Sequence, residues 1–421
     1  MKLMKQMACA ALAAAVAVGI TGCGNKDYSQ PKVPEGALAA IVARPPENTS
    51  LAPLCKQHGL TVADLMKQAP DKHFQELVKE LELDKAQIKW VAVTFDAISA
   101  DKIEKEKVDF AVAIATSIDL DKCVAFVEKK IKEGVSKDEI KKTTIADVPA
   151  YIVIKGEKPE AYMANLDKQL ILVANASAGL EKLIALYRDG KGASADFGSF
   201  TLGANDILRA KAVKVGENVK KALPSPDVLQ MVNKIVPDGD KVILGLASAE
   251  ISMCASSDGK SATLDVSVET ASEADADKLT TAAKGGLMMA TAAAKQKAEK
   301  DAEAKAALDV LESAKMANEG KVAKLSATFP AELAIKNFIK RRSDSKRAAC
   351  ISNMRQIEVA CETYLLSNPN KVPTLDDICG PEKYIRSEPL CPLGGRYKIS
   401  MENGTVGVSC PHAAEGHVLP D

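Results

Sequence analysis

Aromatic side chains are scarce: Phe, Tyr and Trp make up 4% of the 421 residues, and Trp90 is the one tryptophan. Surfaces that stack sugars or bases are built from such rings, so the scarcity argues against carbohydrate or single-stranded nucleic acid as ligand. An excess of charge of one sign is missing too, since Lys+Arg and Asp+Glu each number 56. A balanced chain offers neither a nucleic-acid footprint nor a polybasic membrane patch. The leading apolar run, residues 7–20, is too short for a permanent bilayer span, which needs about 20 residues. The glycines of 190–203 follow neither a phosphate-loop nor a dinucleotide order and read as a flexible linker. No Cys-x-x-Cys pair occurs among the ten cysteines.

What is present begins with an address. Lys2 and Lys5 precede the apolar run, which ends in Ile20-Thr21-Gly22-Cys23. A positive start, a short apolar stretch and small residues before a cysteine resemble the signal peptide and lipobox of bacterial lipoproteins. The resemblance implies a signal peptide over 1–22, removed after Gly22, and lipidation of Cys23. Two or three acyl chains, palmitate among them, suffice for stable anchoring where one does not. Gly24 follows rather than an aspartate. By Gram-negative sorting rules that favours the outer membrane, on its periplasmic or surface face. Residues 23–36, with Pro31 and Pro34, read as a short polar tether.

The rest is long enough for two or three domains. Residues 89–98 and 108–116 alternate and are β-branched, which predicts a hairpin. Asp119 caps a predicted helix to about 132, with Leu120, Cys123, Val124, Val127 and Ile131 on one face. Strands near 151–154 and 169–173 and a helix over 177–187 follow. The order then recurs. A hairpin of 241–253 and 261–269 turns at Asp258-Gly259, Ser272 caps a long helix to about 297, and a helical stretch covers 302–311. A strand over 322–329 and a helix over 331–341 complete it. These readings give an α+β class: a duplicated antiparallel sheet-plus-helix unit, 37–200 and 201–333, with the helices on one face.

Beyond that lies a patterned stretch. Ala334-Ile335, Asn337-Phe338, Cys350, Asn353, Arg355-Gln356-Ile357 and Tyr364 are followed by Gly380-Pro381, Tyr384-Ile385 and Cys391-Pro392. Gly394-Gly395, Tyr397, Cys410, Gly416-His417 and Leu419-Pro420 complete it. Residues 334–421 in this pattern resemble the head of type IV pilin-like proteins and type II secretion pseudopilins, in forms from planctomycete and verrucomicrobial-type bacteria. The resemblance implies a pilin-like head that docks to secretion or pilus-like machinery. The prepilin cleavage glycine and its hydrophobic assembly helix are replaced by "ATFPAEL", so entry into a pilus through the usual helix stack is not expected. The residues themselves predict an amphipathic helix over 350–367 and a small hairpin, 397–401 with 406–409, turned at Asn403-Gly404.

So thin a core calls for staples. After Cys9 and Cys23 eight cysteines remain, an even number compatible with disulfides in an exported chain. We expect Cys391 to pair with Cys410 across the hairpin and Cys361 with Cys379, each bridge contributing about 2–4 kcal/mol. Cys55, Cys123, Cys254 and Cys350 are left unassigned. Cys391, Cys410, His412 and His417 could instead hold zinc; export and the missing Cys-x-x-Cys spacing favour disulfides, so no metal is expected. Cys55 and His58 lack an orienting third group and read as a buried cysteine and an exposed histidine. Asp96, Asp101, Glu104 and Glu106 alternate with lysines and read as a solvated loop. The sum is a non-enzymatic, lipid-anchored cell-envelope protein without catalytic residues or cofactors, acting as scaffold or binding module. Its expected partners are the membrane, through its lipid, and envelope or secretion proteins, and no nucleic acid. The alternative is a ligand-binding lipoprotein for uptake or sensing.

Overall fold

The computed structural model describes residues 28–419 except 68–71, 97–108, 135–137, 199, 223–232, 234–235, 299–301, 370, 381, 387 and 403–404. The chain divides into two compact units. One runs to Met66 and resumes over Glu76–Leu333; the other joins Lys67–Gln75 to Ala334–Asp421. The class is α+β, with a large antiparallel sheet and helices.

In the first unit the strands are β1 (Ala39–Ala43), β2 (Ile88–Phe95), β3 (Phe110–Thr116), β4 (Glu139–Ile145), β5 (Val148–Lys155), β6 (Lys158–Leu166) and β7 (Leu170–Ala174). They continue with β8 (Asp206–Val213), β9 (Ser248–Ala255), β10 (Ser261–Glu269), β11 (Lys315–Glu319) and β12 (Val322–Pro330). All twelve form one sheet in the order β11-β12-β10-β9-β8-β1-β2-β3-β7-β6-β5-β4. The expected hairpins β2–β3 and β9–β10 are there, and β1 joins β8 at the centre. Periodicity missed three strands, β4, β6 and β8, of which the first two flank β5. The outermost, β4, carries Glu-Ile-Lys-Lys-Thr-Thr-Ile and is mostly exposed. A charged edge strand needs no apolar face and discourages pairing with another chain, so it leaves no alternating signal. The run 241–244 is helical rather than extended. Gly245 N–H bonds back to the Lys241 carbonyl (2.9 Å), and the strand starts only at Ser248.

Helices of this unit include α1 (Ala52–Gln57), α2 (Val62–Lys67, up to Met66), α4 (Leu120–Lys132), α5 (Ser177–Asp189), α6 (Val215–Ala222), α7 (Gly239–Leu244), α8 (Glu273–Ala298) and α9 (Ala302–Ser313), while α3 (Lys72–Glu80) is divided between the units after Gln75. Asp119 caps α4 as expected, its carboxylate accepting from the Asp121 and Lys122 amides. Strand side chains alternate between faces. Ala40, Val42, Ala92, Ala113, Ala150, Ala164 and Leu172 point to one side and bury Leu180, Leu183, Ile184 and Tyr187 of α5. Each such leucine or isoleucine contributes about 1.5–3 kcal/mol of burial. Tyr151 follows Ala150 and points the other way, donating its hydroxyl to Asp121 of α4 at 2.7 Å. Helices therefore lie on both faces, a correction to the expected one-faced packing.

Two segments read as tether and linker are docked. Tyr28 and Val33, in the expected tether, are buried in the main core. Tyr28 donates to Asp167 (2.8 Å) and its carbonyl accepts the Trp90 indole N–H (2.8 Å). In the expected linker, Phe197 and Phe200 meet edge-on at 5.7 Å and join Leu202 in that core.

The second unit is built on α10 (Ala331–Ser367), a continuous helix of 37 residues that belongs to this unit from Ala334 on. The sequence reading breaks it at 342–349, but Arg-Ser-Asp-Ser-Lys-Arg-Ala-Ala contains no proline or glycine to stop it. A short helix, α11 (Leu375–Ile378), opens on a capping box between Thr374 and Asp377. The hairpin β13 (Lys398–Glu402) with β14 (Thr405–Ser409) follows. Met354, Ile357, Cys361, Ile378, Tyr397 and Val406 form its core. Among the described residues no helix is long and apolar enough to cross a membrane.

Candidate metal centre

Four segments of the second unit bring soft or borderline ligands to one point. Cys350 comes from α10, Cys391 opens a glycine turn, Cys410 follows β14, and His417 lies beyond a short 3-10 turn, Ala413–Glu415. All four are buried, and their ligand atoms lie within 4.8 Å of one another. Cys391 Sγ and His417 Nδ1 are 3.5 Å apart. From ordinary zinc–sulfur and zinc–nitrogen bond lengths, the edges of a tetrahedral site are about 3.8 Å between sulfurs and about 3.6 Å between sulfur and nitrogen. The cluster is thus close to the size a tetrahedral ion requires.

Each thiol sulfur has a donor aimed at it. The Leu393 amide donates to Cys391 Sγ (3.4 Å), the His412 amide to Cys410 Sγ (3.3 Å), and the Tyr397 hydroxyl to Cys350 Sγ (3.4 Å). The first two share one local geometry. Both cysteines precede a proline, and the amide two residues on turns back to the sulfur. Gly395, at φ +88°, makes the two turns compatible, since a Cβ there would press on Pro411.

Burial pushes the Cys350 thiol up, with Cys410 and Cys391 raising it and the Tyr397 hydroxyl opposing. Burial also pushes the Cys391 thiol up, against the Leu393 amide. Burial, with His412 beside it, holds His417 below the ordinary imidazole value. A neutral imidazole among crowded thiols is a ligand set rather than an acid–base pair.

The sequence reading places Cys391, Cys410 and His417 correctly in one cluster but leaves out Cys350 and includes His412. The His412 ring faces elsewhere, with Nδ1 at 2.9 Å from Glu415 and Nε2 at 3.2 Å from the Gly394 carbonyl. The signal that could have found Cys350 is its place on the buried stripe of α10 with Met354, Ile357 and Cys361. Among the described residues every cysteine is a free thiol. Cys361 and Cys379 share the same core outside the cluster, and burial pushes Cys361 up to about 11. Cys23 lies outside the described residues.

Other candidates do not assemble. Burial, with Glu47 nearby, pushes the Cys55 thiol up to about 11, the reverse of an activated nucleophile. His58 is half-buried rather than exposed, and its Nε2 has no partner. Asp96 pairs with Lys182 at 2.9 Å, while Asp101, Glu104 and Glu106 lie outside the described residues. A surface cavity of about 220 Å³ is lined by Leu83, Lys85, Ser117, Asp119 and Lys122. Comparison with family models, with curated proteins and with solved structures gives no match to this chain.

Proposed function

We propose that this chain is a non-enzymatic, lipid-anchored protein of the cell envelope. In this reading Cys23 carries the lipid, the twelve-stranded sheet is a binding scaffold, and residues 334–421 form a pilin-like head that docks to secretion or pilus-like machinery. The observation that carries the binding reading is an apolar row running from the centre of the sheet toward its β11 edge. Cross-strand pairing sets Ile41 beside Ala210, Ala210 beside Ile251, Ile251 beside Val266, and Val266 beside Leu325 on one face. Ile41 and Ile251, in central strands, remain 39% and 41% exposed. Contiguous exposed apolar side chains on a sheet face favour a partner surface.

Two further features support the reading. Outward from the β8–β1 seam, β1-β2-β3-β7 on one side and β8-β9-β10-β12 on the other run in the same order, which favours duplication of an ancestral unit. Tyr28 is buried five residues after Cys23, so the tether reaches at most about 18 Å at full extension. A lipid on Cys23 would hold the sheet unit close against the membrane. The uptake or sensing alternative needs a pocket, and small-molecule pockets run to about 300–1,000 Å³. The surface cavity beside Leu83 and Lys122 is smaller, about 220 Å³.

The test is a pull-down from detergent-solubilised envelope after metabolic labelling with a palmitate analogue. Wild type should be labelled and Cys23→Ser should not. Secretion or pilus components should be recovered with the full chain and lost on truncation before Ala334. Identical partners from both forms would refute the docking role of the head, and an unlabelled wild type would refute the anchor.

A further inference from the structure

We propose that Cys350, Cys391, Cys410 and His417 bind one zinc ion as a closed, structural site within the second unit. The proposal concerns this unit alone and stands whether or not the chain is lipid-anchored.

The ligand chemistry selects the metal class. Three thiolates and an imidazole suit zinc and exclude magnesium and calcium, which take oxygen ligands. All four ligand positions come from the protein and all four residues are buried, the arrangement of a structural zinc rather than a catalytic one with an open position. On binding, the three thiols release their protons to solvent and His417 offers the Nδ1 lone pair, its ring proton on Nε2. The bound set carries one net negative charge. Lys346 and Arg347, one turn before Cys350 on α10, supply the compensating field, since both act on His417 and Lys346 also acts on Cys391.

The donors distinguish this from a disulfide. Three sulfurs each receive one hydrogen bond, from Leu393, His412 and Tyr397. Thiolates are strong acceptors for such donors, and outer-shell partners of this kind orient metal ligands. A Cys391–Cys410 bridge would leave two amides aimed at uncharged sulfur and Cys350 buried without a role. The need is also evident: a unit of fewer than 100 residues has a thin core and gains most from a metal staple.

The experiment uses the full chain expressed with its own N-terminus in cells given zinc. Elemental analysis should find one zinc per chain. Replacement by cobalt should give a thiolate charge-transfer band and the intense visible bands of a tetrahedral ion. Cys350→Ser should lose the metal, while His412→Ala and Cys361→Ser should keep it. Tyr397→Phe should fold and weaken zinc about tenfold in chelator competition, which keeps the test open should Cys350→Ser fail to fold. Wild type without zinc and with a mapped Cys391–Cys410 disulfide would overturn the proposal. So would zinc retained in Cys350→Ser but lost in His412→Ala.

Discussion

Removing the Tyr28 ring should loosen the point at which the segment around Tyr28 meets the sheet core, and Trp90 should report it. Tyr28 is 4% exposed. Its ring lies 6.4 Å from that of Tyr187, which in turn stacks on Trp90 at 6.0 Å and 23°. Its hydroxyl donates to Asp167, and its carbonyl takes the Trp90 indole proton. Truncating a buried aromatic costs about 3–5 kcal/mol. A segment near a chain end can shift into the space left behind, so Tyr28→Ala should fall at the low end, about 3 kcal/mol. Tyr28→Phe removes only a part-buried hydroxyl and should cost about 1 kcal/mol. The assay is urea unfolding of the chain lacking residues 1–23, followed by the emission of its sole tryptophan. With a slope of about 3 kcal/mol/M, Tyr28→Ala should lower the midpoint by about 1 M and Tyr28→Phe by about a third of that. Native emission of Tyr28→Ala should move to the red as water reaches Trp90. An unchanged midpoint and an unchanged native spectrum would refute the docking of this segment, and with it the short tether.

Gly216→Ala should destabilise the first unit by about 1–3 kcal/mol or more. Its Cβ would overlap the Leu244 carbonyl oxygen, where α6 meets the end of α7; a wild-type thermal midpoint would refute that contact. The Asp377 carboxyl should titrate at about 2 rather than 3.8, held down by Lys371 at 2.8 Å and by the Thr374 hydroxyl and amide. A depressed carboxyl contributes stability above its unfolded value, and that contribution is lost as pH falls from about 3.8 toward 2. Carboxyl chemical shifts followed through acid would show it, and titration near 3.8 would refute the capping box.

Much of the sheet unit was legible because apolar periodicity and turn chemistry agreed. The β2–β3 hairpin, the Asp119 cap and the Asp258-Gly259 turn all rest on local signals, and local signals survive tertiary packing. Gly259 does take the positive φ, +69°, that its turn needs. The illegible parts have physical reasons. At β4, lysine and threonine at a sheet edge carry no burial pattern. At Ala146-Asp147 and Asp167-Lys168, the hairpin turns take positive φ without glycine or asparagine, so the usual turn residues are missing where tight right-handed hairpins form. The helix break expected at 342–349 confused polarity with termination. Serine, aspartate, lysine and arginine weaken a buried stripe, but nothing in them stops the backbone hydrogen bonding.

The cluster was half legible, and its missing half follows from backbone geometry. Metal motifs are sought as ligands a few residues apart, but Cys350 stands forty-one positions before Cys391, placed by the packing of α10 rather than by any turn. His412, two residues after Cys410, stands beside His417 in the sequence reading. That spacing is what disqualifies it. In a Cys-Pro-x turn the amide of the third residue points back at the sulfur, as His412 N–H does at 3.3 Å, and its side chain is carried away, here to Glu415 and the Gly394 carbonyl. Leu393 stands at the equivalent position after Cys391 and donates in the same way, although its side chain could never ligate. The ring that does return, His417, needs a chain reversal first, which Gly416 supplies at φ +83°. The turn after Cys410 therefore makes His412 serve the sulfur through its backbone, and the reversal at Gly416 lets His417 reach the cluster with its ring.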